Sequence, residues 1–450
     1  PPPPPSPNVV VVVIDDLNEW VGFLGNTQVK TPNIDALAAR STAFLRAYCN
    51  DPLCNPSRAS AWSGLTPQQT LVYDNFAALS RTNPSAKLLP AWMQANGYEV
   101  AQNGKINHVY DTGGEAEPLP AVQPETNMRC SGAGSAQPAG LFDWGAIPVD
   151  DVDMPDYVYT SRTIDFINGT HAKPFMACLG LLRSHLAWYV PQKYLDMYPI
   201  DQIVLPNVPA GDLDDIPAVG RQVALFQGSQ QCITGQDLWA SAVQAYLASI
   251  TFVDTQIGRL MAALDASAHA NDTVVILWSD NGYHLGQKFH WHKQALWEPA
   301  THVPLLMRLP GQSQGATVSS VVSMIDLFPT VIDLCGVNAP YTLAGRSLKP
   351  LLTAPATPWD HPVLMTNAVM DAQNKFATNQ YDYAIRTNQY RYIRYRDGST
   401  ELYDESADPG EFTNVAASPA NASIIAQLDA LMPPLVPGAR AAQAPGRRRD

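Results

Sequence analysis

An α/β fold with a largely parallel central sheet is what this sequence predicts, on three observations. The stretch 9–14 (Val-Val-Val-Val-Val-Ile) is an unbroken β-branched run, the mark of a strand buried on both faces. Comparable short apolar runs recur at 175–182, 273–278, 303–308 and 318–322. Helical patterns lie between them, so strands and helices alternate along the chain.

Thr31-Pro32-Asn33 opens a helical pattern through Ile34, Leu37, Ala38 and Phe44. A second helix is expected over 88–96, ended by Gly97 and followed by a strand at 98–101. The stretch 238–266 reads as one long amphipathic helix leading into the 273–278 strand. Residues 112–156 are rich in Pro, Gly and Ala without periodicity, which predicts a long functional or disordered loop. After about residue 350 the texture changes. Alternating runs at 383–386, 390–395 and 401–403, with turn signals at Thr387-Asn388 and Asp397-Gly398, predict an antiparallel meander followed by a helix at 423–431. The expected division is a Pro-rich leader (1–7), a large catalytic domain (8–350), a smaller C-terminal unit (351–433) and a disordered tail (434–450). Pro1 to Pro7 reads as an internal cut and a polyproline II spacer.

The net charge of -13 disfavours nonspecific attraction to nucleic acid or anionic membranes. It does not exclude an anionic substrate at a locally cationic site. No apolar run reaches the length of a bilayer span. The six cysteines (Cys49, Cys54, Cys130, Cys178, Cys232 and Cys335) include no Cys-x-x-Cys pair, which argues against a thiolate zinc site. Asn168-Gly169-Thr170, Asn271-Asp272-Thr273 and Asn421-Ala422-Ser423 match the glycosylation acceptor pattern, and with the proline leader they lean towards a secreted glycoprotein.

The chemistry collects where the strands end. Asp15 and Asp16 follow the first strand, and Asp280 and Asn281 follow a later one. In open parallel sheets ligands bind outside the carboxyl ends of strands, so these four side chains are expected to converge. Four oxygen donors without thiolate or imidazole suit a hard cation, calcium or magnesium. The bland alternative is that such acids cap the following helices. The same rule brings Lys105, His108 and His185 to that rim. Histidine can protonate a leaving alkoxide near neutral pH, and lysine and arginine can hold anionic oxygens. Cys54-Asn55-Pro56-Ser57-Arg58 is expected to open a helix, with Asn55 as N-cap and Pro56 at the first helical position. Its free N–H groups would then face whatever Cys54 carries. Alone, Cys54 reads equally as a small buried thiol.

The run Cys54-Asn55-Pro56-Ser57-Arg58 resembles the nucleophile signature of type I sulfatases. Thr31-Pro32-Asn33-Ile34-Asp35, Gly104-Lys105, Ser63-Gly64-Leu65, Val303-Pro304 and Glu401-Leu402-Tyr403-Asp404 are also similar, so the resemblance spans about 8–416. Gly104-Lys105-Ile106-Asn107-His108 and Asp15-Asp16-Leu17 look most like the iduronate 2-sulfatase-like branch, although Ser184-His185 stands where that branch has Pro-His. The resemblance implies an alkaline phosphatase-like α/β/α sandwich with a small C-terminal α+β subdomain carrying an antiparallel sheet. It implies that a formylglycine-generating enzyme oxidises Cys54 to formylglycine, whose hydrate attacks sulfur. Asp15, Asp16, Asp280 and Asn281 would bind one calcium ion, together with the modified Cys54. Arg58 would orient the hydrate, and Lys105 and Lys293 would grip the sulfate. His185 would protonate the departing alcohol, and His108 would help the second hydroxyl expel sulfate. The resemblance favours Lys293 over Lys288 because His292-Lys293-Gln294 precedes Leu296-Trp297-Glu298, as the family's lysine does. His284, His290 and His292 stay unassigned, with substrate contact as one option.

The expected function is hydrolysis of a sulfated glycan or a small sulfate ester, in a secreted, periplasmic or lysosome-like compartment. The alternatives are a phosphodiesterase or phosphonate monoester hydrolase of the same superfamily, and a catalytically silent glycan-binding relative. Relative turnover of matched sulfate and phosphate esters separates the first. Loss of catalytic residues would mark the second.

Overall fold

β1 (Asn8–Ile14) sends alternate side chains to two different cores. Val10, Val12 and Ile14 enter one, and Val9, Val11 and Val13 the other, which is why this run carries no polar alternation. A computed structural model of the protein describes residues 6–108, 142–226, 229–370 and 376–434. The tail from 435 and the first five prolines therefore lie outside the described residues, as does most of the expected 112–156 loop.

β2 (Thr42–Tyr48), β3 (Glu99–Gly104), β4 (Trp144–Ile147), β5 (Phe175–Leu181) and β6 (Trp188–Pro191) follow. β7 (Thr273–Ser279) leads through the short hairpin β8 (His284–Leu285) and β9 (Trp291–His292) to β10 (His302–Arg308) and β11 (Ala316–Ser323). The central sheet has the order β11-β2-β10-β7-β1-β5-β3. Its pairs are parallel except those made by β10, which runs antiparallel to β2 and β7. The helix Trp239–Ala266 covers one face, inserting Tyr246, Ile250, Val253 and Ile257 at helical spacing. The helices Cys54–Ser63 and Leu327–Cys335 cover the other with Ala61, Trp62, Phe328 and Val331. The result is the α/β/α layering predicted for the large domain. No helix among the described residues is long and apolar enough to cross a membrane.

Three local expectations need correction. The helix begun by Pro32 ends at Ala38, and Phe44 lies in β2. β2 is flanked by β10 and β11, so sheet pairing overrides the helical spacing of Phe44. Asn55 is not an N-cap: the helix starts at Cys54, with Leu53 at its cap. The Asn55 amide instead donates to the carbonyls of Asp74 and Ala77 at 2.7 Å each, fastening the loop after the helix. Within the Pro/Gly-rich stretch, β4 pairs with β6, and the helix Pro155–Ile167 has already begun by residue 156.

β12 (Val363–Met370), β13 (Phe376–Arg386), β14 (Tyr390–Arg394) and β15 (Thr400–Asp404) form an antiparallel sheet in that order. The helix Ala422–Asp429 packs Leu428 against it with Ile385, Tyr392 and Leu402. β12 hydrogen-bonds to the large unit: Thr366 N–H donates to Asn50 O at 2.9 Å. Deeper in the seam, the fully buried Arg391 meets Glu298 of the large unit and Glu405 and Glu411 of the smaller one. Arg386 also reaches Glu298 and Glu405. Removing one partner from such a cluster leaves buried charge uncompensated. Arg391→Met is expected to lower stability by about 3–5 kcal/mol, read from the denaturant midpoint. An unchanged midpoint would show that this cluster does not brace the seam.

Candidate active site

β1 and β7 are neighbours in register, so Asp15-Asp16 and Asp280-Asn281 leave the sheet side by side. Ser279 Oγ ties the two strand ends, donating to Ile14 O at 2.9 Å and accepting Leu17 N–H at 3.0 Å. Asp16 has a left-handed backbone (φ 59°), a conformation aspartate tolerates better than most residues. Two contacts hold it there. Asp16 N–H donates to Asp280 Oδ1 at 3.1 Å, and the Tyr246 hydroxyl donates to Asp16 O at 2.8 Å. Oxygens of Asp15, Asp16 and Asp280 lie within 4.8 Å of one another, all buried.

Arg58 lies beneath this group, its side chain 1% exposed. Nε donates to Asp280 Oδ2 at 2.8 Å, Nη2 to Asp15 Oδ1 at 3.2 Å, and Nη1 to the carbonyls of Lys105 and, at 3.1 Å, Ile106. Burial alone would lower the guanidinium pKa, but Asp280 and Asp15 outweigh it, so Arg58 stays charged. Ser57 Oγ donates to Asp280 O at 2.5 Å, pinning the same helix to the end of β7. These contacts bring Cys54, in the first turn of that helix, to the carboxylates. Cys54 Sγ, an Asp15 oxygen and a His185 nitrogen lie within 4.8 Å of one another.

Lys105 comes off the end of β3, where two glycines allow close approach to β5. A Cβ on Gly180 would stand 2.1 Å from Lys105 O, and one on Gly104 (φ +76°) 2.1 Å from Gly180 O. Lys105 Nζ reaches Asp15 Oδ2 at 2.6 Å. Lys293 Nζ lies 2.5 Å from Asp16 Oδ1 and 2.8 Å from Cys54 Sγ. For both ammonium groups burial works against the charge and is outweighed by the neighbouring carboxylates and Cys54. Three aspartates therefore face Arg58, Lys105 and Lys293. Burial raises Asp15, but Lys105, His185, Arg58 and Lys293 hold it well below the usual range. Burial pushes Asp280 up to about 6 against the pull of Arg58. Burial also pushes the Cys54 thiol up to about 12, despite Lys105 and Lys293. As an ordinary cysteine it is a poor nucleophile at neutral pH.

His185 follows β5 and is 27% exposed. Its Nδ1 donates to Leu186 O at 2.5 Å, leaving Nε2 3.7 Å from Asp16 Oδ2. Burial lowers its pKa, with Asp16 and Asp15 opposing. His108 lies near the same cations: burial first, then Lys105 and Arg58, lower it to about 3, so it is neutral at ordinary pH. The three unassigned histidines are interior. His284 Nδ1 donates to Gln287 O at 3.1 Å, and His290 nitrogens face the carbonyls of Ala224 at 3.1 Å and Lys293 at 2.9 Å. His292 joins Ser229 Oγ and the Tyr283 hydroxyl at 2.8 Å each. They shape the loop that carries Lys293 rather than an open surface. Lys288 is buried against Asp212 and Glu411 O.

The donor set fits a hard cation. Besides the three carboxylates, Asn281 Oδ1 is buried and accepts no hydrogen bond, while its Nδ2 donates to Asp16 Oδ1 at 2.8 Å. A buried acceptor without a donor calls for a ligand. Sequence reasoning missed Ser57, Tyr246 and Ser279 as organisers. Ser57 at least stands inside the motif, whereas Tyr246 is one apolar position among many on a long helix.

Comparison with known proteins shows the family and the fold. The family model described as "Sulfatase" matches residues 7–337, and one described as "N-sulphoglucosamine sulphohydrolase, C-terminal" matches 286–435. A sulfatase of Formosa agariphila is 34% identical over 93% of this chain and 85% of its own length. Human iduronate 2-sulfatase is 28% identical over 73% of this chain and 68% of its own. Among solved structures, the phosphonate monoester hydrolase of Agrobacterium radiobacter superposes with a TM-score of 0.77 at 23% identity, covering 94% of each chain, a likeness of fold. With its signature cysteine on a buried cationic and acidic rim, the chain belongs to the sulfatase family and is a sulfuric ester hydrolase.

Proposed function

We propose that the protein removes sulfate from a sulfated carbohydrate, using a formylglycine derived from Cys54 and one bound calcium ion. The observation that carries this reading is the position of Cys54 Sγ, 2.8 Å from Lys293 and within 4.8 Å of both Asp15 and His185. Converted to formylglycine, residue 54 supplies an aldehyde hydrate as nucleophile. Asp15, Asp16, Asp280 and Asn281 would hold a calcium ion, with magnesium as the alternative, and the bound ion would supply Lewis-acid chemistry to the sulfate group.

The chain's own residues do the rest. Arg58 holds Asp15 and Asp280 in place and keeps positive charge beneath the nucleophile. Lys105 and Lys293 hold the nonbridging sulfate oxygens and stabilise the charge that grows there. His185, as the imidazolium with its Nδ1–H committed to Leu186 O and Nε2 on the Asp16 side, delivers the Nε2 proton to the departing alkoxide and is left neutral. His108, neutral beside these cations, accepts the proton released as sulfate leaves. The sugar names carried by the human relative and by the C-terminal family model support a carbohydrate sulfate. A secreted or lysosome-like location and a formylglycine-generating partner belong to the same reading.

The fold shared with a phosphonate monoester hydrolase makes that activity the second reading. Matured protein is expected to turn over 4-nitrophenyl sulfate with a higher kcat/KM than matched 4-nitrophenyl phenylphosphonate. The reverse order would favour the phosphonate reading. Calcium added to chelator-treated protein at about 100 times its dissociation constant is expected to stabilise it by about 2.7 kcal/mol, seen as a rise in Tm. The rise should be lost in Asn281→Ala, and an equal rise in both proteins would remove Asn281 from the metal site.

A further inference from the structure

Asp156 has no part in the chemistry above, yet it is fully buried in the first turn of the helix Pro155–Ile167. Its Oδ1 accepts the N–H of Leu182, the first residue beyond β5, at 2.5 Å. Leu182 O in turn accepts the N–H of His185 at 2.8 Å, closing a turn that ends on the histidine. Burial pushes the Asp156 carboxyl up to about 6, against the pull of Arg183 and of the Leu182 N–H, and its bond to the Leu182 amide polarises the Leu182 peptide group. Other ties fix the same segment: Ser184 Oγ donates to Asp15 O at 3.3 Å, and Trp188 Nε1 to Ser184 O at 2.7 Å. Arg183 Nε donates to Tyr189 O at 3.0 Å. The tie through Asp156 and Leu182 is the one that ends on the His185 N–H itself.

We infer that Asp156 is a positioning residue for the proton donor of the reaction: through the Leu182 peptide it sets the height of His185 above the sulfate site. The inference rests on the proposed acid role of His185. A displaced acid slows only substrates whose leaving group needs a proton, and that distinguishes positioning from a general effect on folding. Poor leaving groups, such as alkyl or sugar alkoxides, need the proton, whereas 4-nitrophenolate departs without it.

The test compares a simple alkyl sulfate with 4-nitrophenyl sulfate in matured wild type, His185→Ala, Asp156→Ala and Asp156→Asn. His185→Ala is expected to lose far more activity on the alkyl ester than on the aryl ester. Asp156→Ala is expected to show the same bias, with the alkyl loss about tenfold larger than the aryl loss. Asp156→Asn, whose amide oxygen can still accept the Leu182 N–H, should recover most of the difference. If Asp156→Ala does not fold, Asp156→Glu, which displaces the carboxylate by one methylene, should show the bias in weaker form. Equal losses on both esters in the Asp156 variants, with the bias present in His185→Ala, would overturn the inference. Equal losses in His185→Ala would instead overturn the acid role of His185 on which it rests.

Discussion

The buried guanidinium of Arg58 is the interaction on which the site depends. Three strand ends and one helix meet there: Asp15 after β1, Asp280 after β7, the Lys105 and Ile106 carbonyls after β3, and the signature helix that carries Arg58 itself. Each acid is deeply buried, and each would resist ionisation without a cation in contact. Because Arg58 and Cys54 lie in successive turns of one helix, charge compensation and the placement of the proposed nucleophile cannot vary independently.

The sheet supplies direction and the C-terminal unit supplies closure. Parallel strands aim β1, β3, β5 and β7 at one rim, which is where their following residues collect. Lys293 instead arrives from the side, on a loop whose neighbours His292 and Gln294 have left-handed φ of 81° and 65°. Such backbone is costly for residues with a Cβ and persists only where its surroundings hold it. Here Gln294 N–H donates to Pro52 O at 2.9 Å, and Asn367 of β12 donates to Gln294 O at 2.9 Å. The smaller sheet thus reaches to within one residue of Lys293, and the Arg391 cluster fixes its seating.

Much of this was legible in the sequence. The 9–14 run, the strand ends at Asp15-Asp16 and Asp280-Asn281, and the 383–403 meander depend on local pattern, and local pattern found them. Phe44 was misread because helical spacing over a few residues cannot compete with sheet partners far away in the chain. Asn55 was misread because its preference for a cap gave way to a loop some twenty residues on. The roles of Asp156, Tyr246 and the three interior histidines were not legible. Each acts through a backbone carbonyl or amide, or another side chain, that only the folded chain brings near, so nothing in their own neighbourhood marks them.

The central claim is that Cys54 is the precursor of the nucleophile. As a cysteine it sits in a site where burial drives its thiol up to about 12, a poor setting for thiolate chemistry and a reasonable one for an aldehyde hydrate beside Lys293 and Arg58. The most direct measurement is the mass of the peptide carrying residue 54, from protein made in its native host. The mass of the aldehyde or its hydrate is the predicted result. An entirely unmodified thiol in protein that hydrolyses sulfate esters would contradict the account.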